Sequence, residues 1–356
     1  MTSRVPRQRR RHRGYIKYGI VAHMVQRLLI LGGTGFVGPA VIDDALARGW
    51  NVTVFNRGTQ PTPAGVVQIT GDRTAAGGLA ALRDGTWDVV VDTWASAPSA
   101  VRDAAAVLAD RVERYLYVSS RSVYTWPMPA GGAEDLPVCD ASPDDGDVDY
   151  QRAKRGGELA AGAAFGDRAL FARAGLILGP REDIGRLPWW LHRIARGGPV
   201  LAPGPADIGV QFVDARDLAA FVLDAAEHGF GGPYDVVSPV GHATMRDVLE
   251  ACVAVTGSDT ELCWTRPEPI LAADVQPWTD LPIWLPPGED HDAMHGSDVS
   301  KAVRDGLHCR PVHETVADTW AWLQSLDGPP VQPDRDYIKP VGLDPDVEAR
   351  LLSGGA

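Results

Sequence analysis

Cysteine is scarce. The 356 residues hold four, Cys139, Cys252, Cys263 and Cys309, widely spaced and with no Cys-x-x-Cys pair. That argues against a disulfide framework or a thiolate zinc module and fits reduced thiols in a cytoplasmic protein. No apolar run approaches the length of a membrane span. Positive charge is also short, with 34 Lys and Arg against 46 Asp and Glu, a net charge of −12. A nucleic-acid-binding domain would carry a basic face, so nucleic acid is disfavoured as a partner. The exception is residues 1–23, where Arg4, Arg7, Arg9, Arg10, Arg11, Arg13 and Lys17 make a basic tail. Its composition reads as a disordered extension, with Met24 an alternative start just before the first strand. The apolar run at 20–25 is too short, and too broken by His23, for an export signal. There is no internal repeat.

What the chain does have is alternation. Short apolar runs at 28–31, 51–55, 66–70, 88–91, 115–119 and 169–172 read as strands. Helical patterns stand between several of them, at 37–46, 75–82, 99–108 and from Tyr150 onward. Continuous apolar strands separated by helices predict a parallel sheet covered on both faces, a Rossmann-type doubly wound α/β fold. Residues 125–149, rich in Pro, Gly and Asp, read as a long exposed loop, a candidate lid. After Gly179 and Pro180 the composition turns to Trp, Pro and Arg. The expected organisation is a dinucleotide-binding domain over 24–180, with a return near 210–230. A smaller α/β substrate domain follows over 181–326, then a C-terminal extension over 327–356. Thr244 is a candidate cap for a helix reaching about Val255, and Val316, Trp320 and Leu323 form a later helical stripe.

Between the first strand and first helix lies Gly32, Gly33, Thr34, Gly35, Phe36, Val37, Gly38. Gly32 permits a tight turn, Gly35 removes the Cβ that would block a pyrophosphate, and Gly38 allows close helix packing. The helix N-terminus then offers unpaired amides and a positive dipole end. This context on both sides is what a dinucleotide site requires. The second strand ends at Asn56 and Arg57, without the acid that usually accepts NAD ribose hydroxyls. Arg57 suits a 2′-phosphate, which favours NADP over NAD. Asp72 is placed either to meet the adenine or to form a turn.

Tyr150 and Lys154 stand at i and i+4, on one helical face. A lysine beside a phenol favours phenolate and brings a Tyr towards useful acid–base chemistry. Lys154 would also hold the nicotinamide ribose, and Ser120, ending the fifth strand, would hydrogen-bond the substrate oxygen. No metal is expected. His291 and His295 lack the Glu that follows the first His in a zinc helix, Asp292 standing there instead, and Asp140, Asp144, Asp145 and Asp147 lack calcium-loop spacing. Trp189, Trp190 and Trp284 are candidates either for an apolar pocket or for core.

These pieces together resemble the short-chain dehydrogenase/reductase superfamily in its extended, epimerase/dehydratase-like branch. The matching residues are the glycine loop, Val118 to Tyr124, Tyr150 with Lys154, Arg173 to Pro180, and Val213 to Ala219. The segments Gly197 to Gly204 and Gly306 to Trp322 look similar to a bacterial epimerase- or reductase-like subgroup. The resemblance implies an NAD(P)-dependent oxidoreductase acting on a carbonyl or hydroxyl of a small molecule, and points to a homodimer. Two departures weaken a nucleotide-sugar epimerase or dehydratase reading. Val210 stands where the branch often has a phosphate-holding Arg, and the fourth strand ends Asp92, Thr93, Trp94. A non-catalytic NADP sensor or a nucleic-acid-binding relative are the other classes. Retention of both Tyr150 and Lys154 argues against the first, and the acidic balance against the second.

Overall fold

The computed structural model describes residues 26–328 and 340–354. The basic tail at 1–23 lies outside the described residues. Seven parallel strands form the central sheet. Six are β1 (Arg27–Leu31), β2 (Asn51–Asn56), β3 (Val66–Thr70), β4 (Trp87–Asp92), β5 (Val112–Ser120) and β6 (Ala169–Ala174). The seventh, Gly232–Val236, pairs with β6 at the sheet edge. The spatial order is β3, β2, β1, β4, β5, β6, then Gly232–Val236. The chain therefore reverses direction between β1 and β4. The crevice beyond the carboxyl ends of those two strands is where ligands bind in such sheets.

Burial on both faces explains the unbroken apolar strands. On one face α1 (Val37–Ala47) and α5 (Ala215–His228) pack over Leu28, Ile30, Val89 and Val91. On the other, α2 (Pro98–Leu108) and α3 (Tyr150–Phe165) cover Leu29, Leu31, Val90 and Tyr115. Alternate side chains of each strand thus feed two separate cores.

One reading needs correction. The helix expected at 75–82 is only a 3-10 turn over Ala80–Asp84. Gly77 sits at φ +72°, and a Cβ on Gly78 would lie 1.8 Å from the Asp72 carbonyl oxygen, so the chain turns there instead of winding. Residues 125–149 do form a loop, but one that is tied down. Tyr124 bridges Val138, and Met128 is buried with Val123, Tyr124 and Ala293. Gly131 N and Asp298 N bond to Gly296 O and Gly132 O. The edge strand Gly232–Val236 escaped the sequence reading, because its only preceding signal is a pair of glycines.

The smaller lobe has its own core around Leu187, Trp190, Phe212, Leu249 and Trp284. It is built on α4 (Arg186–Ala195), α6 (Met245–Thr256) and the helix Val312–Gln324. Thr244 caps α6 in a reciprocal box with Asp247. Trp190 and Trp284 are core, their indole N–H groups donating to Pro282 O (2.8 Å) and Gly204 O (3.1 Å). The described part of the C-terminal extension is a helix, Pro345–Leu352, docked on this lobe. Glu348 there accepts from Arg193 Nε (2.7 Å) and Leu201 N (3.1 Å), all buried. No helix among the described residues is long and apolar enough to cross a membrane.

Glu348→Ala should therefore strand a buried guanidinium and a buried amide, destabilising the protein by about 3 kcal/mol in urea unfolding. Asp207→Ala, which breaks an exposed pair with Arg246, should leave the midpoint unchanged.

Candidate active site

The glycine loop follows β1 directly. Gly32 and Gly33 take φ +104° and +88°, values that side chains other than glycine rarely adopt. A Cβ on Gly32 would also lie 2.7 Å from Thr93 Oγ1. One on Gly38 would lie 2.4 Å from Gly33 Cα, so Gly38 lets α1 close onto the loop itself rather than onto the sheet. At Gly35 a Cβ would meet nothing within 4 Å. Thr34 and Gly35 are exposed at the crown, and Phe36 and Val37 are half-buried. No side chain caps the N-terminus of α1. The loop thus offers open space above Gly35 and uncapped backbone amides, which fit a dinucleotide pyrophosphate.

Asn56 and Asp72 both close turns. Asn56 Oδ1 accepts from Gly58 N (2.9 Å) and Gln68 Nε2 (2.8 Å), while its amide donates to Gly32 O (3.4 Å). Asp72 Oδ1 accepts from Thr74 N (2.9 Å) and Thr74 Oγ1 (2.7 Å). Those bonds, with Arg57 nearby, hold its carboxyl below the usual range. Arg57 is exposed.

Across the switch point stand Ser120 and the start of α3. Asp149 caps that helix through Arg152 N, so Tyr150 and Lys154 occupy its first two turns. Lys154 is 3% exposed, and its Nζ donates to Trp94 O and Val118 O, both at 2.7 Å. It thereby ties α3 to the ends of β4 and β5. The same ammonium lies 5.9 Å from the Tyr150 ring and 4.9 Å from that of Tyr117. Ser120 caps the turn Arg121–Val123, accepting from Ser122 N and donating to Ser122 Oγ, both at 3.1 Å.

Sequence reasoning missed what fixes the Trp94 carbonyl. Asp92, fully buried, accepts from Arg73 Nη1 (2.7 Å) and Nη2 (2.9 Å), Tyr115 Oη (2.5 Å) and Trp94 N (3.0 Å). Burial opposes its ionisation, but the Arg73 guanidinium and these bonds outweigh that and hold the carboxyl below its ordinary value. Tyr117 donates to the same Trp94 carbonyl (3.0 Å), and burial raises its phenol well above the usual value. Trp94 folds over Arg73 at 4.8 Å. The unusual Asp92, Thr93, Trp94 ending was the available signal: a charged residue closing an apolar strand needs a partner.

The remaining candidates are structural. Asp144 and Asp145 pair with Arg102 (2.6 Å) and Arg152 (3.2 Å). His295 is buried, accepting from Gln211 N (3.1 Å). Burial and the neighbouring His291 push its pKa down to about 3. Among the described residues no three His, Cys, Asp or Glu side chains gather as a metal site. Val210 is buried. Gln211 beside it bonds Ser238 O (2.8 Å) and both backbone groups of Ser297 (2.8 and 3.0 Å).

The model of the NAD dependent epimerase/dehydratase family matches residues 28–237, which contain the glycine loop, Ser120, Tyr150 and Lys154. The chain belongs to that family. Its cofactor is accordingly a nicotinamide dinucleotide. The comparison with curated protein sequences finds no match. Among solved structures it is similar to a putative epimerase from Burkholderia cenocepacia J2315, at 22% identity and TM-score 0.64, over 84% of this chain and 99% of that one. It is also similar to the Thermus thermophilus UDP-glucose 4-epimerase complexed with NAD, at 21% identity, TM-score 0.58, and 84% and 99% coverage. A third is the UDP-N-acetylglucosamine 4-epimerase of Methanobrevibacter ruminantium M1, at 18% identity, TM-score 0.62, and 85% and 99% coverage. At these identities the likeness speaks for the fold.

Gly35→Val should leave thermal unfolding unchanged and abolish NADPH binding in calorimetric titration, since its side chain enters only that open space. Gly38→Val should instead lower the unfolding temperature, because its side chain would enter the Gly33 backbone.

Proposed function

We propose that this family member catalyses NAD(P)-dependent oxidoreduction at a carbonyl or hydroxyl carbon of a small molecule, with Tyr150 as the acid–base group. The observation that carries the reading is the Lys154 ammonium, held by two strand-end carbonyls 5.9 Å from the Tyr150 ring. A fixed cation favours the phenolate form of a nearby tyrosine. The bound nicotinamide supplies hydride acceptance or donation at the substrate carbon. Tyr150 takes the hydroxyl proton in one direction and returns it to the carbonyl oxygen in the other. Ser120 supports that oxygen by turning its hydroxyl away from Ser122. The loop from Gly32 to Gly38 would hold the pyrophosphate, and Lys154 the nicotinamide ribose.

Arg57 is the residue that selects NADP, through its exposed guanidinium at the end of β2. Asn56 supports this choice passively: it puts no carboxylate where a 2′-phosphate would lie. The family and the two UDP-sugar 4-epimerases of similar fold favour a second reading, epimerisation of a nucleotide sugar. Val210 and the fully engaged Gln211 leave no cation at the place where that branch often holds a phosphate. Proton transfer at Tyr150, paired with hydride transfer to or from the bound nicotinamide, serves either reaction.

Two measurements test the reading. NADPH or NADH oxidation is followed against a panel of carbonyl compounds, and the best substrate is then offered to Tyr150→Phe. Turnover should fall by about 10² to 10⁴, with NADPH affinity kept; turnover like the parent's would sink the mechanism. Separately, Arg57→Ala should weaken NADPH about tenfold and leave NADH unchanged. An unaltered ratio of the two dissociation constants would make Arg57 a surface residue only.

A further inference from the structure

Arg186 carries a charge that the fold itself does not use. It is the first residue of α4, half-buried, and its Nε is buried without a hydrogen-bond partner. Of the two acids beside it, Glu182 and Asp183, Glu182 spends Oε1 on Arg186 N (2.7 Å) and Oε2 on Leu187 N (3.1 Å), capping the start of α4 rather than neutralising the guanidinium. Burial pushes that carboxyl up to about 7, which weakens it further as a counter-charge. Among the described residues the Arg186 side chain makes no ion pair. What it does have is a platform: its guanidinium carbon lies 5.0 Å over the Trp278 ring.

That platform is rigid. Trp278 and Ile283 sit at φ +67° and +74°. Side chains avoid this region, a branched one above all, and such strain persists only where the surroundings enforce it. Here Trp278 N bonds Trp284 O, Trp190 Nε1 bonds Pro282 O, and Gly342 N bonds Thr279 O. A stacked guanidinium keeps its hydrogen-bonding edge for a planar or tetrahedral oxyanion. The location is also telling. The chain leaves β6 at the carboxyl edge of the sheet, runs through Leu176–Leu178 and enters α4 at Arg186. That edge also carries Ser120, which pairs with Ala174 at the end of β6.

We infer that Arg186, backed by Trp278, receives an oxyanion of the substrate, so that the substrate carries a carboxylate or phosphate near its reacting carbon. The inference rests on Tyr150 being the acid–base group. With the anion on Arg186, the carbonyl or hydroxyl is turned towards Tyr150, and neutral carbonyl compounds are disfavoured.

The test uses the full chain, with and without saturating NADPH, titrated in a calorimeter with malonate, inorganic phosphate and uncharged dimethyl malonate. Malonate or phosphate should bind with a dissociation constant on the order of 1 mM, and dimethyl malonate should not. The better anion tells carboxylate from phosphate. Arg186→Met should weaken that anion about tenfold or more, and Arg186→Lys should retain part of the affinity. NADPH binding should be unchanged in both. If Arg186→Met does not fold, Trp278→Leu, checked by circular dichroism, should weaken the same anion. Equal anion affinity in the parent and the folded variant, or no anion binding by the parent, overturns the inference. Loss of NADPH binding by the parent would instead overturn the cofactor reading, and the titrations without cofactor keep the two failures apart.

Discussion

The buried carboxylate of Asp92 is the constraint on which the site depends. It sits at the carboxyl end of β4, at the switch point, and accepts four hydrogen bonds from Arg73, Tyr115 and Trp94. Breaking such a pair by removing one partner leaves an uncompensated charge and is strongly destabilising. The arrangement also points a carbonyl, that of Trp94, at Lys154 and Tyr117. Remove the Asp92 anchor and the turn that grips the ammonium is free to move. Geometry at Lys154 is therefore set by a charge pair between the end of β4 and the loop after β3, and by α3 only in part.

A second buried network performs the matching task one strand further along. Glu158 takes Arg173 through both oxygens (2.8 and 2.9 Å) and Ser119 Oγ at 2.8 Å. Arg173 reaches on to Tyr124 (3.0 Å), which donates to Asp235 (2.6 Å). Helix α3, β5, β6 and the edge strand are thus bound together beneath Ser120. Arg121 continues the chain of contacts to the carbonyls of Ala293 and Met294 in the smaller lobe. The two lobes share a polar seam through Arg121.

Much of this was legible in the sequence, for local reasons. Strands buried on both faces must be continuously apolar, and the glycine loop and the Tyr150, Lys154 spacing are short-range patterns. The cap at Thr244 was legible too. Long-range pairings were not. Nothing adjacent to Arg73 announces Asp92, nineteen residues away, and nothing near Arg193 announces Glu348. The edge strand Gly232–Val236 forms because β6 offers an unpaired edge, not because its own sequence is strongly strand-like. Asn56 was read as leaving room for a 2′-phosphate and Asp72 as meeting the adenine or forming a turn; their oxygens close turns on Gly58 and Thr74. Of the tryptophans left open between pocket and core, Trp190 and Trp284 went to the core, while the unremarked Trp278 lies under Arg186.

The central claim is that the reacting carbon exchanges hydrogen with the nicotinamide and only the oxygen exchanges a proton through Tyr150. Turnover in D2O, with the product read by NMR, tests it most directly. The account predicts no solvent deuterium at the reacting carbon, whether the net reaction is reduction or epimerisation. Deuterium from the solvent on that carbon would show a proton abstracted from it and returned to it, and would contradict the account.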